Sequence, residues 1–270
     1  EGTYQFVFVS GSYDATGGRA LGAQLYIDDI TVTNAARKLS GAVIENIGSL
    51  IYGEVDTAAN NGLSIGSSAI LTNKTINSGQ TVEVLGTMGN ANIEVGNEEI
   101  AEKISKKINV VAEGTGVEAT SSTHAMISFE NSAGTNLNDR VSFNLHGIDG
   151  TKRKISSEIN FGSGNQDMNL EPLAKEVNKY SSSTDITAYL SEDKQAITLK
   201  TRQGFDIIIE DFNLHNDTNS VFLHINEMKS SGQISPTSLR LVQSSSGANA
   251  TDSARIFGEI VLKSHKPFSM

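Results

Sequence analysis

The residues best suited to ligand chemistry lie near the amino terminus, where Asp14, Asp28 and Asp29 accompany Tyr13 and Tyr26. Loop carboxylates joined by backbone carbonyls suit a calcium ion, and a tyrosine ring offers an apolar face with a polar tip to a sugar. No full calcium loop can be spelled from this stretch, and turn formation with solvation of strand ends accounts for the same residues. They stand as candidate calcium or glycan contacts, with no resident cofactor or metal expected.

Other constellations fall short of chemistry. Five histidines, His124, His146, His215, His224 and His265, include no His-Glu-x-x-His pair, and His215 and His224 lack a zinc-type carboxylate spacing. Gly62-Leu63-Ser64-Ile65-Gly66 has the letters of a nucleophile elbow. An elbow needs a helix directly after its serine, whereas Ser67-Ser68-Ala69-Ile70-Leu71 predicts another β run. Gly11-Ser12-Tyr13 and Gly17-Gly18 are followed by no Lys-Ser/Thr opening a helix, so no phosphate loop is expected. Cysteine is absent, which excludes disulfides and thiolate chemistry. No catalytic group is assigned.

Charge narrows the partners. The formal net charge is −10, and the densest basic group, Lys152-Arg153-Lys154, is expected to be a solvated turn. Nucleic acid and anionic membrane are therefore not expected as partners. No apolar run approaches the ~20 residues that span a bilayer. The opening Glu1-Gly2-Thr3-Tyr4-Gln5-Phe6 shows neither a basic n-region nor an apolar h-region, so no cleaved signal is read there.

The elements that would carry these residues are mostly strands. Tyr4, Phe6 and Phe8 alternate with Gln5, Val7 and Val9, and Ala23 to Val32 forms a second run after a glycine-rich loop. Short apolar runs follow at Ala42-Val43-Ile44, Ser49-Leu50-Ile51-Tyr52, Leu63-Ser64-Ile65, Ala69-Ile70-Leu71 and Thr81 to Leu85. From Ala91 the texture changes. Ile93 and Val95 predict a strand, and Ile100, Ile104, Ile108 and Val111 form one helical stripe behind leading acids. Thr115 to Ala119, Ala125 to Phe129 and Val141 to Leu145 are then read as β runs.

The same plan returns further along. Ile159-Asn160-Phe161 predicts a strand, and Leu170, Leu173, Ala174, Val177 and Tyr180 share a helical face, with Pro172 in the tolerant first turn. Strands Asp185 to Leu190 and Ala196 to Leu199 follow, and Gln203 to Ile209 closes the unit. Setting Asn109 beside Asn178 also sets Val117 beside Ile186 and Ala119 beside Ala188. With one inserted residue, Ile127 meets Ile197 and Gly134 meets Gly204. Agreement in several elements argues for a duplicated helix-plus-sheet unit. Val221 to Ile225, Ser238 to Val242 and Ala254 to Leu262 complete the chain as alternating β.

The two units resemble the flagellin hook IN motif, a short helix ending in Ile-Asn or Val-Asn, a polar turn ending Thr-Gly-Val, then Ala and paired β runs. The first carries Lys107-Ile108-Asn109 and Thr115-Gly116-Val117-Glu118-Ala119; the second carries Glu176-Val177-Asn178 and Thr184-Asp185-Ile186-Thr187-Ala188. The second departs at Asp185, where the family pattern has Gly. The tail from Gly258 to Ser269 is similar to the strand leading back into a flagellin's conserved core. The resemblance covers roughly half the chain.

It implies a structural, non-catalytic outer domain of a flagellin-type filament protein, or of a hook-associated or cap protein sharing the motif. The expected location is extracellular, on the flagellum or cell surface, with neighbouring copies of the parent filament protein as partners. Glycans on Ser181-Ser182-Ser183-Thr184 and Ser244-Ser245-Ser246 would fit such a surface. The expected architecture is α+β and β-rich. Two tandem IN-like units at 91–150 and 151–214 are flanked by β-sandwich-like segments, with 1–90 packed against 215–270. The competing expectation is a carbohydrate-binding or adhesive β-sandwich module, motivated by residues 1 to 33 and their surface-glycan chemistry. A glycan titration with and without calcium separates the two.

Overall fold

The computed structural model describes residues 43–46, 63–66, 79–96, 99–132, 137–162, 168–216, 220–243, 251–266 and 268–270. The expected strands at 4–9, 23–32, 49–52 and 69–71, and all five candidate contact residues, lie outside the described residues.

Short β-branched runs form the first strands, β1 (Val43–Asn46) and β2 (Leu63–Gly66). A hairpin follows, β3 (Gln80–Leu85) and β4 (Asn90–Val95), with Val84, Ile93 and Val95 buried by alternation. Helix α1 (Ala101–Val110) buries Ala101, Ile104 and Ile108 along one stripe. Lys107 closes its last turn, where a cation meets the negative end of the helix dipole. One turn, α2 (Ala112–Thr115), leads into β5 (Val117–Asn131).

The central part repeats the order. Strands β6 (Asn138–His146) and β7 (Lys152–Asn160) make a hairpin. Helix α3 (Glu171–Lys179) carries Pro172 at its start and buries Leu173, Ala174 and Val177. A turn, α4 (Ser181–Thr184), precedes β8 (Ile186–Leu190), β9 (Ala196–Thr201) and β10 (Ile207–Leu214). The chain ends with β11 (Val221–Met228), β12 (Ile234–Leu241), β13 (Ser253–Ile256) and β14 (Glu259–Ser264). The described fold is thus β-rich α+β.

Two sheets enclose the larger core. One has seven strands, running β1-β14-β5-β11-β12 with β9 also on β5 and β8 on β9; the other runs β2-β13-β10-β6-β7. Their facing residues include Ile127 and Phe129 of β5, Phe143 of β6, Ile209 and Phe212 of β10, and Leu223 of β11. Phe129 bridges the layers, with its ring centroid 5.5 Å from Phe161 and 6.2 Å from Phe212. Helix α3 packs against β7 and β8 and contributes to the same core. A second, smaller core gathers Val84, Ile93, Val95, Ala101, Ile104, Ile108, Val117, Ala119, Ile260, Leu262 and Phe268.

Three local readings change. Lys152-Arg153-Lys154 is no turn; it opens β7, with Lys152 and Lys154 exposed while Ile155, Ser157 and Ile159 turn inward. The run Val117 to Asn131 is one strand of 15 residues rather than two separated runs. Ala254 to Leu262 breaks at Phe257-Gly258 into strands of different sheets, because β13 pairs with β2 and β10 while β14 pairs with β1 and β5. Segments from 1–90 and 215–270 meet in two of these pairings, β1 on β14 and β2 on β13.

Candidate functional site

The most distinctive local arrangement occurs twice, where each long helix hands over to a strand. Asn109, at the end of α1, donates from Nδ2 to the Ala119 carbonyl at 2.8 Å, and its Oδ1 accepts from the Ala119 N–H at 2.7 Å. Asn178, at the end of α3, does the same to Ala188, at 2.8 Å in both bonds. A side-chain amide presents an N–H donor and a carbonyl acceptor side by side, so it pairs with a strand residue as another strand would.

The turn between helix and strand is held identically. Thr115 Oγ1 donates to Val111 O at 3.0 Å and accepts from Val117 N–H at 3.2 Å. Thr184 Oγ1 donates to Tyr180 O at 3.0 Å and accepts from Ile186 N–H at 3.2 Å. The next residue is left-handed in both, Gly116 at φ 75° and Asp185 at φ 58°. Glycine reaches that region freely and aspartate at a cost. The preceding hairpins touch these turns through glycine. A Cβ on Gly86 would stand 1.7 Å from Thr115 O, and one on Gly147 would stand 2.7 Å from Ser183 O.

The repeat differs from the sequence alignment in one respect. In the second unit Ile186 and Ala188 of β8 pair with Thr201 and Leu199 of β9. In the first, Val117 and Ala119 pair with Ser264 and Leu262 of β14. The position of β9 is therefore filled by a strand from the far end of the chain. Ile127 and Ile197, aligned as equivalents in sequence, are instead direct cross-strand partners.

Among the described residues, three groups of titratable side chains lie at least partly buried on the sheets. Glu210, buried beside a bulge in β10, lies 2.8 Å from His146 Nε2 and 2.5 Å from Lys152 Nζ. Burial pushes its carboxyl up, but hydrogen bonds from Lys152 and His146 outweigh this and hold its pKa below the ordinary value. The Lys152 ammonium is raised, chiefly by its bond to Glu210. Asp211, the bulge residue, adopts φ 57° and accepts from Asn144 Nδ2 at 2.7 Å.

On the outer face of the seven-stranded sheet, Ser238 Oγ lies 3.3 Å from His224 Nδ1, and His224 Nε2 lies 2.8 Å from Glu130. That order is the order of a serine proton relay. The setting is not. Ser238 stands inside a strand with its hydroxyl also 3.3 Å from Leu239 O, whereas a nucleophile needs a turn that presents it beside oxyanion donors. His124 on the same strand as Glu130 is buried, and desolvation followed by the Lys200 charge lowers its pKa. Ser64 lies within β2 opposite Arg255, in a strand rather than at a strand-to-helix elbow.

The third cluster sits where β11 ends and β14 begins. Glu227 occupies the inward parity of Leu223 and Ile225, and its pKa is raised to about 7, by burial first and then by the Glu259 charge, with Lys229 opposing. The buried Glu259 accepts from Ser230 N–H at 2.9 Å and Ser230 Oγ at 3.0 Å. Nearby, Asp206 binds Arg255 Nε at 2.7 Å and accepts from Gly258 N–H at 3.3 Å. Sequence reasoning missed Glu227, although an acid on the apolar side of an alternating strand was a legible signal. The Ser238–His224–Glu130 row needed strand register to be found.

No group of three or more His, Cys, Asp or Glu able to hold a metal ion occurs among the described residues, and no helix among them is long and apolar enough to cross a membrane. Of the serine-rich segments, Ser181 to Thr184 is α4, with Thr184 buried and hydrogen-bonded, leaving Ser182 as its exposed hydroxyl. Ser244 to Ser246 lies outside the described residues.

No family model matches the chain, and no curated protein matches it. Among solved structures, the flagellar cap protein FliD from Helicobacter pylori is similar at 10% sequence identity with a TM-score of 0.24. The match covers 64% of this chain and 55% of that one, so this chain spans about half of that protein. At that level the likeness carries no functional conclusion.

Proposed function

We propose that this chain is a non-catalytic, surface-exposed outer domain of a bacterial flagellin or of a related filament or hook-associated protein, with its helix-plus-sheet units acting as IN-type scaffold. The observation that supports this reading is the paired clamp, Asn109 on Ala119 and Asn178 on Ala188. These are the residues that carry the sequence resemblance, and the same bonds form in two different surroundings. A geometry repeated in this way is that of a building unit. Its side chains are spent on backbone groups and are not left free for a substrate. The acidic surface suits dense display, since like-charged copies repel and stay soluble. Neighbouring copies of the parent filament protein are the partners of this reading.

Immunogold labelling tests it. Antibodies raised against the purified chain should decorate filaments, hooks or filament tips on intact cells of the source organism. Label confined to the cell body would overturn the filament reading. Specific glycan binding on an array, abolished by chelating calcium, would favour the adhesive module instead.

A further inference from the structure

The smaller core is closed by the last strand of the chain. Eight of its residues come from the stretch between Val84 and Ala119, and the other three are Ile260, Leu262 and Phe268. Strand β14 pairs along β5 from Ser122 to Val117, and beyond it Ser269 and Leu85 exchange two backbone bonds of 2.8 and 2.9 Å. The larger core includes none of the described residues of 259–270. In the second unit the corresponding strand, β9, is flanked by β8 and β5 and buries Ile197 and Leu199 in the larger core. One unit is closed by its neighbour in sequence, the other by a remote segment.

The root of that segment is pinned. Asp206 holds both Arg255 and the Gly258 N–H, and a Cβ at Gly258 would stand 2.6 Å from Gly204 O and 2.7 Å from the Ala101 Cβ. These contacts hold the start of the strand, and Glu259 adds two bonds from Ser230 just beyond them.

We propose that Glu259–Ser264, together with Phe268 and Ser269, is a strap whose release, with β1 carried along, opens the first unit as a separate event and leaves the other strands of the two sheets packed. When released, it removes three apolar side chains from the smaller core, and it unpairs Val117 to Ser122, β1 and the Ser230 donors that Glu259 had held. Neither change touches the contacts among Ile127, Phe143, Ile209 and Leu223. During synthesis the two closing strands become available in a fixed order. The second unit can close once residues up to Thr201 are present, whereas the first waits for Ser264.

Native-state hydrogen exchange on the full chain, followed through a series of low denaturant concentrations, tests this without altering the protein. The amides of 104–110, 117–122 and 259–264 should exchange together, at a lower opening free energy than those of β6, β9 and β10. Ile209→Ala, in the larger core, should speed exchange in the second group by at least about 30-fold, the lower end of the scale set by truncating a core isoleucine, and leave the first group within about 2-fold, because Ile209 stays packed when the strap opens. Equal opening free energies for both groups in the unmodified chain would overturn the proposal. So would acceleration of the first group by Ile209→Ala to the same degree as β10. Immunogold labelling reads a different property, so the strap and the filament assignment can fail independently.

Discussion

Asn109 and Asn178 each hold the N–H and the C=O of an alanine ten residues further on, with all four bonds between 2.7 and 2.8 Å. Each joins the last turn of a helix to the strand that follows, so helix position and strand position are fixed by one side chain. Alanine at either site strands a backbone donor and acceptor beside a helix end. Asn109→Ala and Asn178→Ala should each cost about 1–3 kcal/mol in denaturant unfolding. The two corners belong to separate cores, so the double variant should come close to the sum of the single ones.

Asp185 takes the left-handed conformation that Gly116 takes in the first unit, and its Oδ2 is buried without a hydrogen-bond partner. Asp185→Gly removes both penalties and should stabilise the chain by about 0.5–1 kcal/mol. Gly116→Ala should destabilise it by a similar amount or more, since its Cβ would also meet Met88 Sδ at 3.2 Å. Paired thermal melts of the two variants should move in opposite directions.

The hairpin glycines have no room to spare. Gly86→Ala must displace the Thr115 carbonyl, and Gly147→Ala the Ser183 carbonyl. Each should destabilise by about 1–3 kcal/mol, the usual scale of overpacking, with Gly86 the more severe. Circular dichroism melts of the two variants read the difference directly.

Glu227 gives the chain a pH dependence of defined sign. Its carboxyl is raised to about 7 in the folded chain, by burial foremost and by Glu259 in addition, from an ordinary value of 4.5. The folded state then binds the proton more tightly than the unfolded chain. This group's contribution is therefore complete below about pH 4.5 and is lost as pH rises toward about 7. Glu227→Gln should flatten stability across that window and raise it by about 1–3 kcal/mol at pH 8. Urea titrations at pH 5 and pH 8 check this, and an unchanged difference between the two pH values would contradict it.

Much of this architecture can be read from local pattern. The stripes Ile104–Ile108 and Leu173–Val177 became buried helix faces because period and burial agree there. The repeat was visible because the clamp is local, with asparagine and alanine ten residues apart in both copies. What escaped was set at long range. Ala119 pairs with Leu262, and Ile127 with Ile197, through registers that no window of sequence contains. Lys152 to Lys154 escaped for a different reason. An outer strand can carry charge on its solvent side, so basic residues there imitate a loop. Asp14, Asp28, Asp29, Tyr13 and Tyr26 lie outside the described residues, and their candidacy stands where composition left it.

Strand β5 runs unbroken from Val117 to Asn131, so its first half belongs to the smaller core and its second half to the larger. No joint separates the two. A force on one end of β5 would pass to the other along a single backbone. A module carried on a rotating or drag-loaded structure would gain stiffness from that continuity without any covalent cross-link.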